Sequence, residues 1–264
     1  MVITSVENPV VKLATKLAAS KKERSEQGLF LIEGLRLCLD AVESGIRIRY
    51  VFITTGASEK YYNMLKPLTV SGALVYEVSE SVFAKVCDTK TPQGVLCVCE
   101  MLDKKTQLDK INTNGLYIGL EHIQDPGNLG TILRTAEAVG LSGVVLSADC
   151  CDILNPKVIR ATMGGVFRLP VFEVPSSIEA CRKLSGMGLK TYAAVVDEGA
   201  DDITSLTFPQ GSIVFIGNEG NGLTKELAEA CDYRLTIRMR GRAESLNAAM
   251  AAGIIMWEMA RGQE

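Results

Sequence analysis

Apolar residues near the N-terminus recur at helical spacing: Val10, Val11, Leu13, Ala14, Leu17 and Ala18 interleave with Lys12, Lys16, Lys21 and Lys22. The pattern predicts a helix with a basic outer face, which suits an ordinary solvated surface as well as an anionic partner. Beyond it, helical and extended patterns alternate. GLRLCLDAVESG predicts a helix ending at Gly45, IRYVFIT and ALVYEVS predict strands, SESVFAKVCD a short helix and GVLCVCE a third strand. After a polar stretch over 103–114, read as a linker, the alternation resumes with strand GLYIGLEHI. Helix TILRTAEAVG, strand GVVLS, helix NPKVIRATMGGVF, strand LPVFEV, helix SSIEACRKLSGMG and strand KTYAAVV follow. Strand SIVFIG, helix LTKELAEACD, strand RLTI and helix SLNAAMAAGIIMWEMAR complete the chain. Short, β-branched strands alternating with helices predict an α/β fold with a parallel sheet covered on both faces. No internal repeat is found.

Composition narrows this picture. With 47% hydrophobic residues in a chain of 264, a packed core is available and a disordered chain is excluded. No run approaches the roughly 18 apolar residues of a membrane span, and the start lacks the order of a signal peptide. The eight cysteines form no C-x-x-C pair and His122 is the only histidine. A zinc site is therefore not expected, the thiols read as free and reduced, and the protein is expected to be cytoplasmic. His122 is expected to be structural.

Net charge is −3, which by itself argues against a nucleic-acid binder, but it is unevenly spread. Residues 1–105 carry 14 Lys and Arg against 12 Asp and Glu; residues 106–264 carry 14 against 19. Within the first 24 residues, five cations (Lys12, Lys16, Lys21, Lys22, Arg24) face only Glu7 and Glu23.

Three segments of the second half place glycines and polar groups just after strands, where open α/β sheets bind ligands. Asp125-Pro-Gly-Asn128-Leu-Gly130 leads into a helix carrying Arg134. It reads as a plain strand–turn–helix connection or as an anion site at a helix N-terminus. Its G-x-x-G spacing lacks the dinucleotide fingerprint. Gly217-Asn-Glu219-Gly-Asn-Gly222 follows an apolar strand, and a capping loop alone does not account for three glycines. Ile237-Arg-Met239-Arg-Gly241-Arg-Ala-Glu-Ser245-Leu246-Asn247 is a basic loop in which Ser245 is expected to cap the following helix.

In this order, the three segments resemble the motifs of the SpoU (TrmH) family of RNA ribose 2′-O-methyltransferases. N-x-G-x-x-x-R-T-A-x-A-x-G runs from Asn128 to Gly140, G-x-E-G-x-G from Gly217 to Gly222, and I-x-M-x-G-x-x-x-S-L-N from Ile237 to Asn247. The first half is similar to the substrate-binding domain of the ribosomal-RNA branch, through Phe30-Leu-Ile-Glu33-Gly34-Leu-Arg36 and Thr91-Pro-Gln-Gly94-Val95. The resemblance implies an RNA-binding, L30e-like α/β domain over residues 1–103 and a trefoil-knotted (SPOUT, α/β knot) methyltransferase domain over 113–264. It implies S-adenosylmethionine held by Gly217, Ile237, Met239 and Leu246, no metal, and a homodimer formed through the knot. It also implies a catalytic set of Asn128, Arg134, Glu219, Ser245 and Asn247, with Arg134 supplied by the partner subunit. Arg238 stands where many members have Pro, and Ala248-Ala249-Met250 replaces the usual Val-Ser-Val. The implied activity is methylation of a ribose 2′-hydroxyl, in 23S ribosomal RNA ahead of transfer RNA. A resistance methyltransferase acting on large-subunit RNA is a related possibility, and a non-catalytic RNA-binding protein on the same fold is the contrasting class.

Overall fold

Residues that alternate between two apolar environments build the first sheet. The structure, a computed structural model, describes residues 2–101, 107–218 and 220–263, so the expected linker lies partly outside the described residues. Chain contacts divide it into two units, Met1–Asp103 with Asp152–Phe167, and Lys104–Cys151 with Arg168–Glu264.

The first unit opens with α1 (Pro9–Ala19), which Asn8 caps by accepting from the Val10 amide, and α2 (Lys21–Gln27), which Gly28 ends at φ 64°. The single helical pattern is thus two helices. Then come β1 (Leu29–Glu33), α3 (Leu35–Glu43), β2 (Ile48–Thr54), α4 (Thr55–Lys60) and α5 (Lys66–Thr69). After these, β3 (Leu74–Val78), α6 (Glu80–Val86) and β4 (Val95–Glu100) complete the run. Strand order is β1-β4-β2-β3, with β4 antiparallel to both β1 and β2, and β3 parallel to β2. Phe30 and Ile32 of β1 face one core with α3, while Leu29 and Leu31 face another with α1 and α6. Burial on both faces leaves β1 no polar alternation, and so the hydrophobic pattern does not single it out.

The second unit follows with β5 (Leu116–Leu120), α7 (Pro126–Ala138) and β6 (Gly143–Ser147). The chain then returns to the first unit: α8 (Pro156–Thr162) and the turn after it put Leu154, Ile159, Val166 and Phe167 into the core beside Phe30 and Ile32. Met163 at φ 50° and Gly164 at φ 88° stop this helix before the Phe167 expected to end it. The second unit resumes with β7 (Val171–Val174), α9 (Ser177–Gly186), β8 (Lys190–Ala194) and the two-residue β9 (Asp201–Asp202). β10 (Ser212–Ile216), α10 (Lys225–Ala230), β11 (Tyr233–Thr236) and α11 (Ala248–Arg261) complete it. The seven strands run β7-β6-β5-β10-β8-β11-β9, and each pairing is parallel. α9 and α10 cover one face, around Phe215 and Tyr117; α7 and α11 cover the other. Among the described residues, no helix is long and apolar enough to cross a membrane.

The basic N-terminal face is largely neutralised within its own unit. Lys12 pairs with Glu7 at 2.5 Å, Lys16 with Glu23 at 3.7 Å and Lys22 with Glu26 at 3.7 Å. Arg24 is buried. Its Nε and Nη2 donate to Asp152 Oδ2 at 2.9 and 2.6 Å, and its Nη1 donates to the Leu17 carbonyl at 2.6 Å. That pair ties α2 to the segment bearing α8. Removing one partner strands a buried charge, whereas removing both restores an apolar contact. Asp152→Ala is expected to cost about 3–5 kcal/mol in chemical denaturation, with the Arg24→Met/Asp152→Leu double variant recovering most of it. An additive loss in the double variant would show that the pair itself is not what holds the segment.

Candidate active site

The carboxyl ends of β10, β8 and β11, three neighbouring strands of the parallel sheet, open into a cavity of about 440 Å³. Ala194 and Val195 enter from β8, Ile216 and Gly217 from β10, and Leu235, Thr236 and Ile237 from β11. Ala248, Ala251 and Ile255 of α11 form another wall, where the small side chains leave room. The sequence-predicted Gly217, Ile237, Met239, Leu246 and Ser245 all line this space. Along 237–240 the chain is extended and alternates, with Ile237 and Met239 half-buried in the wall and Arg238 and Arg240 exposed.

The glycine loop folds back on itself. Asn218 bridges Gly222, and the Asn218 side chain accepts from the amides of Gly220 and Asn221 at 3.0 and 2.7 Å. A Cβ on Gly217 would sit 2.0 Å from the Gly222 carbonyl carbon, and Gly222 lies at φ 67°. Those two glycines are required by close approach and by backbone conformation; Gly220 has only the Asn218 Oδ1 within 4 Å. The loop exit is fixed by Glu121, buried at the end of β5, which accepts from the Thr224 amide at 2.8 Å and its hydroxyl at 3.1 Å. Glu121 was not singled out from the sequence, although an acid closing an apolar strand is a readable signal. Glu219 lies outside the described residues.

Asn128 and Asn247, 119 residues apart, meet: Asn247 Nδ2 donates to Asn128 Oδ1 at 3.0 Å. The other amide atom of Asn247 accepts from Ala249 and Met250, so Asn247, not Ser245, caps α11. The cap needs its side-chain oxygen two residues ahead of the first helical amides, a register Ser245 does not occupy. Asp125 caps α7 by accepting from the Asn128 amide at 2.8 Å. Two helix N-termini therefore converge on this amide pair, a setting that favours an anion. Arg134 projects from α7, exposed, with no hydrogen bond or ion pair among the described residues, and it does not line the cavity.

Two neighbouring features hold loops in place. Asp202 pairs with Arg238 at 3.2 Å; its carboxyl is held below the usual range first by the Thr204 hydroxyl and amide, then by Arg238. His122 adopts φ 57°, donates its amide to Ser147 Oγ at 3.2 Å and places Nε2 2.5 Å from Asp149 Oδ2. The Ser147 hydroxyl is the main reason that the Asp149 carboxyl lies low. Among the described residues, no group of three or more His, Cys, Asp or Glu is placed to hold a metal ion.

Residues 115–257 match the SpoU rRNA Methylase family, more than half of the chain. The chain belongs to the SpoU rRNA methylase family. Residues 8–97 of this SpoU methylase match the MRM3-like substrate binding domain. It is 34% identical to the 23S rRNA (guanosine(2553)-2′-O)-methyltransferase RlmP of Bacillus subtilis, over 97% of this chain and 98% of that protein. It is 30% identical to a 23S rRNA (uridine(2479)-2′-O)-methyltransferase of Streptomyces viridochromogenes, over 93% and 87%. The crystal structure of an AdoMet-bound rRNA methyltransferase from Sinorhizobium meliloti superposes with a TM-score of 0.88 at 32% identity, covering 100% of this chain and 98% of that one.

The SpoU methylase is an enzyme whose cofactor is S-adenosylmethionine, and the cavity fits it. Its volume lies within the roughly 300–1,000 Å³ of small-molecule sites. Its walls combine apolar side chains for a purine-sized ring with backbone laid bare where Gly217 and Gly222 admit no side chain. Gly217→Ala is expected to abolish S-adenosylmethionine binding in calorimetry, while Gly220→Ala stays within about threefold of the parent affinity, since its Cβ would make only an ordinary contact with Asn218 Oδ1 at 3.8 Å. Equal losses would show that the loop's conformation is not what forms the cavity.

Proposed function

We propose that this SpoU methylase transfers a methyl group to a ribose 2′-hydroxyl of 23S ribosomal RNA, acting in the cytoplasm as a homodimer. The observation that carries the reading is the Asn128–Asn247 contact, which assembles the polar residues of two distant motifs next to a cavity suited to S-adenosylmethionine. Ribosomal RNA is favoured over transfer RNA because the relatives named for 23S rRNA align over both units. Those two relatives modify a guanosine and a uridine, so the family chemistry leaves base identity open. In this reading residues 1–103 form an L30e-like RNA-binding domain and 113–264 a knotted catalytic domain. The knot is supported by the return of the chain after β11, which lays α11 across β5, β10 and α7.

S-adenosylmethionine, held by Gly217, Ile237, Met239 and Leu246, supplies an electrophilic methyl group when bound. The chain's own task is to place the 2′-oxygen in line and to stabilise the charge that develops on it. Asn128, Ser245, Asn247 and Glu219 orient the ribose in this scheme. Arg134 has a guanidinium whose pKa exceeds about 12, so it is assigned as a cation stabilising the developing alkoxide and a neighbouring phosphate. The proton leaves through that phosphate or through water. Arg134 belongs to the partner's site in the dimer, which accords with its exposed position away from its own chain's cavity. Met250, Ile254 and Trp257 form one exposed apolar stripe of α11, with Trp257 60% exposed, and supply the dimer surface.

Arg134→Ala is expected to lower 2′-O-methylation of 23S rRNA at least about a hundredfold while leaving S-adenosylmethionine affinity and thermal stability unchanged. Mapping 2′-O-methyl positions in 23S rRNA from a deletion strain identifies the substrate nucleotide; near-normal methylation by the variant would overturn the assignment. Trp257→Glu is expected to give a monomer in sedimentation and to lose activity. A mixture of Arg134→Ala and Asn247→Ala chains should regain activity if Arg134 acts across the interface.

A further inference from the structure

Cys181 and Cys231 bring their sulfurs to 3.7 Å, although 50 residues separate them. Cys181 lies on the buried face of α9, where its thiol also donates to the Ala230 carbonyl at 3.5 Å. Cys231 ends α10 and is half-buried, so the pair has a route to solvent. Cys38, Cys97 and Cys99 also cluster, but in the fully buried core of the first unit. We propose that Cys181 and Cys231 are a thiol-modification site, closing into a reversible disulfide when a peroxide-class oxidant reaches them.

A disulfide bond is about 2.05 Å long, so the two sulfurs, already in contact at 3.7 Å, must close the remaining distance for it to form. The contact also differentiates the two sulfurs. The sulfur–sulfur contact holds the Cys181 thiol below its ordinary range, while that contact and burial push Cys231 up. The thiol that the peroxide reaches attacks one oxygen of hydrogen peroxide, the O–O bond breaks, and the departing oxygen leaves as water with the thiol proton. The other thiol then displaces the hydroxyl from that sulfenic acid, forming the S–S bond, and the hydroxyl leaves as a second water with the second thiol's proton. Two sulfurs are oxidised and one peroxide is reduced to two waters.

The bond would close over the supports of the cofactor cavity. Cys231 stands between α10, which begins just after cavity-lining Leu223, and β11, which leads into Ile237. Its neighbour Asp232 already clamps this turn to β8, accepting from the Thr191 amide and hydroxyl at 2.9 Å each. Locking α9 to that turn removes freedom from the unfolded chain across a long loop.

The test treats the full chain with hydrogen peroxide and reads mass and melting, neither of which depends on methylation. A loss of about 2 Da, a tryptic cross-link joining Cys181 to Cys231, and reversal by dithiothreitol are expected. The non-reducing melting midpoint should rise by roughly 5–10 °C. Cys231→Ser and Cys181→Ala should each abolish the cross-link and the rise. Oxygen addition without mass loss, a cross-link between other cysteines, or a rise that persists in Cys231→Ser would overturn the proposal.

Discussion

One side-chain amide, that of Asn247, ties the N-termini of α7 and α11 together in the second unit. Its oxygen caps α11 and its nitrogen reaches Asn128 in the first turn of α7. Because the cap requires oxygen toward the helix amides, the donor nitrogen has only the opposite direction left, toward α7. The two helices pack side by side over the sheet, so their N-termini, each carrying a partial positive charge, open at one place. Neither motif makes that field alone. An aspartate at position 247 would keep the cap but lose the donor, and would set a negative charge against the Asn128 oxygen.

The cavity beside this junction depends on backbone more than on side chains. Gly217 and Gly222 let the loop double back on itself beside the cavity, and Asn218 and Glu121 fasten the loop internally and at its exit. The cavity joins these backbone edges to apolar walls, with Glu244 the charged residue among its described lining.

Much of this was legible in the sequence where the cause is local. The apolar strands, the helix end at Gly45 and the glycines at 217 and 222 follow from periodicity and backbone conformation within a few residues. Asn247 and Ser245 lie two residues apart and both have capping side chains; only the position of the first helical amide decides between them. Arg24 reads as part of a basic face, yet Asp152, 128 residues away, makes it a buried structural charge. Likewise, that 152–167 packs with the first unit depends on where Leu154, Ile159, Val166 and Phe167 find apolar partners, which no local pattern states.

These pairings change what the net charge of −3 means for RNA. Of the five cations in the first 24 residues, Lys12, Lys16, Lys22 and Arg24 are engaged with acids of their own unit, so the N-terminal helices contribute little free positive charge. Arg240 and Arg242, in the loop between β11 and α11, form no hydrogen bond or ion pair among the described residues, and neither does Arg134. Counterion release scales with the number of phosphates a protein neutralises. N-terminal helices whose cations are mostly paired with their own acids gain little from unshaped RNA. For such a surface a folded RNA target, read by its shape, offers more discrimination than charge alone.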